Sequence, residues 1–454
     1  MAQNKGMRHG YHDLCRPEIL ELVPTNARTV LDLGCGTGSL GKAIKKRQDC
    51  ICKGIELNKE ASEIAAKNLD FVWCDNLNRF DPKFLKTKYD CMVFADILEH
   101  LVNPWVILNK FAKALADNGA IIVSLPNIAH PEIISELKKG LFRYRPAGIL
   151  DITHLRFFTK TTIFQMFYSA GLKITEFRPS PSPNNPIQYL IKAVKIPVPS
   201  DKPIVTILLL SWNAWGFTKQ CIESIKKNTT VPYKLLVVDN GSHNNVVKEL
   251  REDLQLYHIE NSCNLGFAKG FNVGLELVDT PYFVISNTDV VVTKNWLKTM
   301  IDHIDSDDDL VCLGPMSNNV SGPQKENDVS YTNETELAQH AIAQEEKWHG
   351  KLIRAKRVVF FCTLFKRKVL SVCGLLDERY ELGNFEDDDY CMKINTSGMK
   401  TAIDESVFIH HYQGQTFKEN LVDFKKTLEE NEAKFLSKWK FPSLQDYYTF
   451  LDKG

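Results

Sequence analysis

Four consecutive carboxylates, Glu386, Asp387, Asp388 and Asp389, stand between two aromatics in "NFEDDDYC". They repel one another, and three chemistries would justify gathering them: a solvated surface run, a cradle for a cation, or a base that takes a proton from an alcohol. A calcium loop is excluded, because no D-x-[DN]-x-[DN]-G spacing occurs here. "DDDYCMKI" reads as a helix, with positions 386, 389/390 and 393 on one face and 387, 391 and 394 on another. Not all four acids can therefore face one site, and Asp388 is expected to face water.

Other chemistry-bearing residues stand at the ends of strand-like runs. "YFVISNTDVVV" ends a strand with Asn287, Thr288 and Asp289, and "VFIHHYQGQTF" follows a strand with the pair His410 and His411. His411 stands five residues before Thr416. In "VLDLGCGTGSLG" the glycines 36, 38 and 41 match GxGxxG, a weak dinucleotide signal taken alone. Asp32 argues against a pyrophosphate beside that loop and suits a ligand carrying ammonium and sulfonium charge. Glu56 ends the next strand in "GIELN", where an acid can accept both hydroxyls of a ribose. Asp75 in "FVWCDN" would follow a third strand within reach of an adenine amino group, and Asp96 in "VFADILEHL" a fourth. His100, His130 and His154 come after later strand ends, the last beside Asp151 and Arg156 in "GILDITHLRFFT". A histidine with its ordinary pKa of about 6.5 can deprotonate a hydroxyl, and each of the three can equally be a structural hydrogen-bonder.

Strand-like runs alternate with helix-period segments on both sides of a proline-rich seam. This alternation predicts two α/β domains with mainly parallel sheets, whose ligands sit at the carboxyl ends of the strands. Prolines at 179, 181, 183, 186, 197, 199 and 203 forbid a continuous helix or central strand there. The expected organisation is a domain over 1–180, a semi-rigid linker over 181–203 with one short helix at "IQYLIKAVK", and a domain over 204–454. In the tail, Leu421, Phe424, Leu428, Phe435 and Trp439 recur at helical spacing, which predicts a helix packed on its own domain.

Composition removes several classes of function. Of 454 residues, Lys+Arg and Asp+Glu number 56 each, so no global basic field recruits nucleic acid or an anionic membrane. The twelve cysteines show no paired CxxC units at zinc spacing, and free thiols in apolar runs fit a reducing cytosol. The start "MAQNKGMRHGYHDL" lacks the apolar core of a signal peptide, and "PIVTILLLSW" is too short to span a membrane. A cytoplasmic protein is expected, with peripheral contact at the inner membrane face left open.

Taken in order, Asp32 with its glycine loop, Glu56, Asp75 and Asp96 resemble the class I S-adenosylmethionine-dependent methyltransferases over residues 28–178. The resemblance implies a Rossmann-like domain in which Asp32, Gly34, Gly36 and Gly38 cradle the methionine end of the cofactor. Glu56 would hold the ribose and Asp75 the adenine, with Asp96 also at the cofactor. "PNIAH…GILDITHLRFFT" looks like methyltransferase modules of cell-surface glycan synthesis, which implies O-methylation of a carbohydrate. A nicotinamide enzyme, disfavoured by Asp32, and a ligand-free docking module are the alternatives for this half.

Residues 204–417 resemble the inverting family-2 glycosyltransferases of the GT-A fold. The resemblance rests on "VTILLLSWN", "LLVVDNGS", "NLGFAKGFNVGL", "YFVISNTDVVV" and the acid cluster in that order. It implies a UDP- or dTDP-sugar donor held by Asn213, Asp239, Gly241, Asn264, Gly266, Phe267, Asn287 and Asp289. Asn287 stands where the family's metal motif carries its first acid, leaving Asp289 as the one carboxylate for Mn²⁺ or Mg²⁺, with His411 or His410 beside it. Glu386, Asp387 and Asp389 fall on the family's ED-x-D motif, which makes Asp387 the implied base and Glu386 its partner in positioning the acceptor. "GPMSNNVSGPQ" is a polar loop expected near an acceptor glycan or glycoprotein.

Overall fold

The computed structural model describes residues 15–196, 201–243, 245–412 and 424–452. The chain divides into two compact units, Met1–Pro197 and Val198–Gly454, each of the α/β class.

The first unit is built on a seven-stranded sheet. Its strands are β1 (Thr29–Leu33), β2 (Ile51–Glu56), β3 (Phe71–Cys74), β4 (Tyr89–Ala95), β5 (Leu115–Pro126), β6 (Leu172–Ser180) and β7 (Gln188–Lys195). The spatial order is β3-β2-β1-β4-β5-β7-β6, parallel from β3 to β5 and antiparallel at both edges of β7. Val30, Leu31 and Leu33 are buried on both faces of β1, as helices on either side of a parallel sheet require. The helices Ser39–Arg47, Lys59–Ala65 and Pro104–Ala112 make the crossovers.

The expected linker helix is not formed. "IQYLIKAVK" is instead strand β7, inserted between β5 and β6 with Tyr189, Leu190, Ile191 and Ala193 buried. A short apolar run fits either period, and its aromatic and β-branched residues pack well on a pleated surface. Prolines 181, 183 and 186 belong to the turn that joins β6 to β7. The first unit accordingly runs past residue 180, and the remaining seam is short, with 197–200 outside the described residues.

The second unit holds an eight-stranded sheet. Its strands are β8 (Val205–Ser211), β9 (Tyr233–Asp239), β10 (Tyr257–Glu260), β11 (Tyr282–Ser286), β13 (Leu310–Met316), β14 (Leu352–Arg354), β15 (Cys362–Lys366) and β16 (Lys400–Phe408). The order is β10-β9-β8-β11-β15-β13-β16-β14. The four strands β10 to β11 are parallel, while β15 and β14 run antiparallel to their neighbours, so this sheet is mixed rather than mainly parallel. A two-stranded ladder, β12 (Val290–Val291) with β17 (His410–His411), lies apart from it. The helices Phe424–Trp439 and Leu444–Asp452 bury Phe435 and Tyr447 against Tyr380, Phe385 and Met392 of the same unit. That matches the packing expected for the tail, although Thr416 and Leu421 lie outside the described residues.

Candidate active sites

A cavity of about 450 Å³ opens at the strand ends of the second unit, a size suited to a small ligand. Three segments distant in sequence supply its polar walls.

The first wall is the β12–β17 ladder. Its register sets Val290 opposite His411 and so brings Asp289 to the His411 ring, with His411 Nε2 3.3 Å from Asp289 Oδ1. His411 Nδ1 lies 2.8 Å from the Asn319 carbonyl, which fixes the tautomer with the proton on Nδ1 and leaves Nε2 facing the carboxylate. That nitrogen is buried and makes no hydrogen bond. A buried carboxylate and an imidazole nitrogen facing one another fit a divalent cation, which Asp289 and His411 would hold. His410 points elsewhere: its Nδ1 meets the Tyr331 hydroxyl at 2.5 Å, and it is not among the residues lining the cavity. Of the two histidines, His411 is the one that lines the cavity and faces Asp289.

The second wall is the loop at 264–267, organised by Asn240. Asn240 Nδ2 donates to Asn264 Oδ1 at 2.8 Å and to the Gly266 carbonyl at 3.1 Å, while its Oδ1 accepts from the Leu265 amide at 3.0 Å. Asn264, Gly266, Phe267, Asn287 and Asp289 all line the cavity, together with Trp212 and Asn240, which the sequence reading passed over. Asp239, Asn213 and Gly241 do not line it. Asp239 is buried at the end of β9 and accepts from the Ser242 amide, and the Asn213 amide donates to Ser242 Oγ at 2.8 Å. These residues shape the turn behind the wall, so the cavity face is offset by one residue, to Trp212 and Asn240.

The third wall is the start of helix Glu386–Thr396. Gly383, Asn384 and Phe385 precede it, all at positive φ, a conformation costly for the last two. The tight entry turns Glu386, Asp387 and Asp388 toward the cavity, and Asn384 lines it with a buried Nδ2 that lacks a hydrogen-bond partner. The four acids then divide. Asp388 is bound by Arg357 Nε at 2.6 Å and by the Tyr447 hydroxyl at 2.7 Å. It is buried, contrary to the expectation that it faces water: Arg357 supplies its counter-charge and Tyr447 a hydrogen bond. Asp389 is fully buried and tied to Trp439 Nε1 at 2.8 Å and Lys438 Nζ at 2.5 Å. Glu386 and Asp387 keep no such cation contact. Burial, with the neighbouring Asp388 charge added and Arg357 opposing, pushes the Asp387 carboxyl up to about 7. Burial and then Asp387 push Glu386 well above the usual carboxylate range.

In the first unit, Asp32 stands one residue before the end of β1 and Glu56 closes β2, both buried. Gly34, Gly36 and Gly38 all have positive φ, and at Gly34 a Cβ would lie 2.0 Å from Ile97 Cδ1. The Gly36 amide donates to Glu56 Oε2 at 2.9 Å and the Asn58 amide to Oε1 at 2.7 Å, which fastens the loop to the second strand. Burial, with Glu56 nearby, pushes Asp32 up to about 7. Two carboxylates at adjacent strand ends fit a cationic cofactor bearing ribose hydroxyls. Asp75 is exposed just after β3 and accepts from the Asn76 amide at 2.6 Å. Asp96 is engaged by the Arg16 guanidinium and by Ser124 Oγ, the latter at 2.6 Å.

The three histidines separate. His130 caps helix Pro131–Lys138, its Nδ1 accepting from the Glu132 amide at 3.3 Å, a structural duty. His100 and His154 stack edge to face at 4.8 Å beside the buried Glu99, which the sequence reading did not single out. His100 is its sequence neighbour, but His154 comes from 55 positions along the chain, so the cluster has no local signal.

The family model described as "Methyltransferase domain" matches residues 7–176, and that of "Glycosyl transferase family 2" matches residues 206–374. An uncharacterized glycosyltransferase of Haemophilus influenzae is 25% identical over 116 residues, covering 25% of this chain and 36% of that protein. A ubiquinone biosynthesis O-methyltransferase of Neisseria meningitidis serogroup A is 23% identical over 180 residues, covering 37% of this chain and 68% of its own length. The chain thus spans about a third of the first relative. Among solved structures, GalNAc-T7 with UDP, GalNAc and Mn²⁺ aligns at a TM-score of 0.38 and 13% identity, over 47% of this chain and 44% of that one. The chain joins a methyltransferase domain to a glycosyl transferase family 2 domain.

Proposed function

We propose that the chain is a bifunctional enzyme. Its second unit transfers a sugar, with inversion, from a nucleotide-sugar such as a UDP- or dTDP-sugar to a hydroxyl of a glycan or glycoprotein. Its first unit methylates a sugar hydroxyl from S-adenosylmethionine. The observation that carries sugar transfer is that one cavity holds Asp289 and His411 on one wall and, on another, Asp387, which makes no direct ion pair among the described residues. A divalent Mn²⁺ or Mg²⁺ held by Asp289 and His411 would neutralise charge on the departing diphosphate. Asp387 takes the acceptor's proton as the acceptor oxygen bonds to the anomeric carbon and the bond from that carbon to the diphosphate breaks. A carboxyl that titrates near neutral pH suits a base working at that pH. Asn264, Gly266 and Phe267 bind the donor in this reading, and Asn384 and Glu386 orient the acceptor.

For methyl transfer, Asp32 attracts the ammonium and sulfonium charges and Glu56 accepts from the ribose. Among the described residues no helix is long and apolar enough to cross a membrane, and a cytoplasmic enzyme that meets its acceptor at the inner membrane face fits this reading. A second reading keeps sugar transfer and makes the first unit a docking module. It draws on Glu56, both of whose oxygens already accept backbone amides. One screen addresses each half. The full chain is incubated with a panel of UDP- and dTDP-sugars and Mn²⁺ or Mg²⁺, reading release of nucleoside diphosphate, and is titrated with S-adenosylmethionine by calorimetry. Metal-dependent hydrolysis of one donor and one bound cofactor per chain are expected. Silence across the donor panel overturns the sugar-transfer reading, and silence in the titration overturns the methyl-transfer reading.

A further inference from the structure

The first unit contains a cluster that its cofactor residues do not use. Glu99 is only 1% exposed, and neither of its carboxylate oxygens has a hydrogen-bond partner. A buried carboxylate with both oxygens unsatisfied is rare and costly, so it implies a missing partner. His154, itself 8% exposed, and His100 stand beside it. One ligand atom from each of the three residues lies within 4.8 Å of the other two.

The neighbourhood is built to hold them there. The Glu99 carbonyl accepts from the amides of Leu155 at 2.8 Å and Arg156 at 3.0 Å, and the Arg156 guanidinium donates to the Val102 carbonyl. The segment carrying His154 is thereby fastened to the turn carrying Glu99 and His100. Each imidazole also places Nδ1 against a backbone carbonyl, His100 at 3.2 Å from Thr153 and His154 at 2.8 Å from Ile149. An Nδ1 proton donated to a carbonyl leaves the lone pair on Nε2, the tautomer and bracing typical of metal-bound histidine. Asp96 and Asp151 add negative charge nearby, but Asp96 is taken by Arg16 and Ser124 and Asp151 by Thr153, so the carboxylate left without a hydrogen-bond partner in the cluster is Glu99.

We infer that Glu99, His100 and His154 form a binding site for a divalent first-row transition ion, distinct from the Asp289–His411 pair. Two imidazole nitrogens and one carboxylate favour Zn²⁺ or Mn²⁺ over Mg²⁺, and three protein ligands leave further positions open to an oxygen ligand. The site stands on its own geometry. Only its use, to hold the acceptor oxygen for methylation, rests on the methyl-transfer reading.

The test uses the chelator-stripped full chain carrying His411→Asn, which removes the other candidate ion site. Zn²⁺, Mn²⁺ and Mg²⁺ are titrated by calorimetry, then repeated with Glu99→Gln or His154→Asn added, each checked for folding by circular dichroism. One Zn²⁺ or Mn²⁺ per chain is expected, with affinity falling at least the ~10–100-fold that loss of even an outer partner costs. Should one variant not fold, the other carries the comparison, and crystals soaked in MnCl₂ should show an anomalous peak between the three side chains. Unchanged affinity in a folded variant, or no peak there, overturns the site. A chain that binds S-adenosylmethionine but no ion at this cluster loses the inference and keeps the methyl-transfer reading, and the opposite result does the reverse.

Discussion

Asp387 and Asp388 are sequence neighbours with different duties, decided by what reaches them. Arg357 and Tyr447 arrive at Asp388 from 31 and 59 residues away. No cation bonds Asp387 directly, and burial, with the Asp388 charge added and Arg357 opposing, pushes its carboxyl up to about 7. The base must be ionised to accept a proton, so the transfer rate should fall as pH drops through about 7. An unperturbed aspartate would hold the rate until about pH 4. A pH–rate profile of sugar transfer checks this, and a break near pH 4 would contradict the assignment. Asp388→Asn should act on stability instead. It leaves Arg357 buried without its counter-charge, a loss of about 3–5 kcal/mol in a urea titration. Position within the motif singled out Asp387 in the sequence, and the structure places it on the cavity wall. The burial of Asp388 and the approach of His154 to Glu99 were not legible there, since those partners come from far along the chain.

Two small elements assemble the cavity. The β12–β17 ladder has two residues on each side, too short for any periodic signal, yet it brings Asp289 to His411. The second is the contact of Gly266 with the turn before the acid helix, where the Phe267 amide donates to the Glu381 carbonyl at 3.0 Å. A Cβ on Gly266 would lie 1.8 Å from that carbonyl oxygen, and its φ is +83°. Gly266→Ala should therefore cost about 1–3 kcal/mol of backbone strain or more, lower the melting temperature and impair donor binding. A variant with the parent's melting temperature and donor affinity would show that this approach is not needed. The long, strongly apolar strands β1, β8, β9 and β11 were readable from the sequence. β7 was not, because one short amphipathic run serves either period and the surrounding prolines suggested a linker.

At the scale of the whole molecule, one chain carries two candidate sites, and balanced charge assigns recognition to those sites rather than to a global field. Linking two modules raises the effective concentration of one product near the other site without any new contact. The two sites should nonetheless be separable. Asp32→Asn should weaken S-adenosylmethionine binding in calorimetry and leave sugar transfer at the parent rate, and a parallel loss of sugar transfer would deny that independence. The sugar-transfer reading turns on Asp387 as the base. The most direct measurement is single-turnover transfer by Asp387→Asn in the full chain, alongside its donor affinity. A rate lower by about 10²–10⁴-fold with donor binding kept is expected. Transfer at the parent rate would contradict that reading.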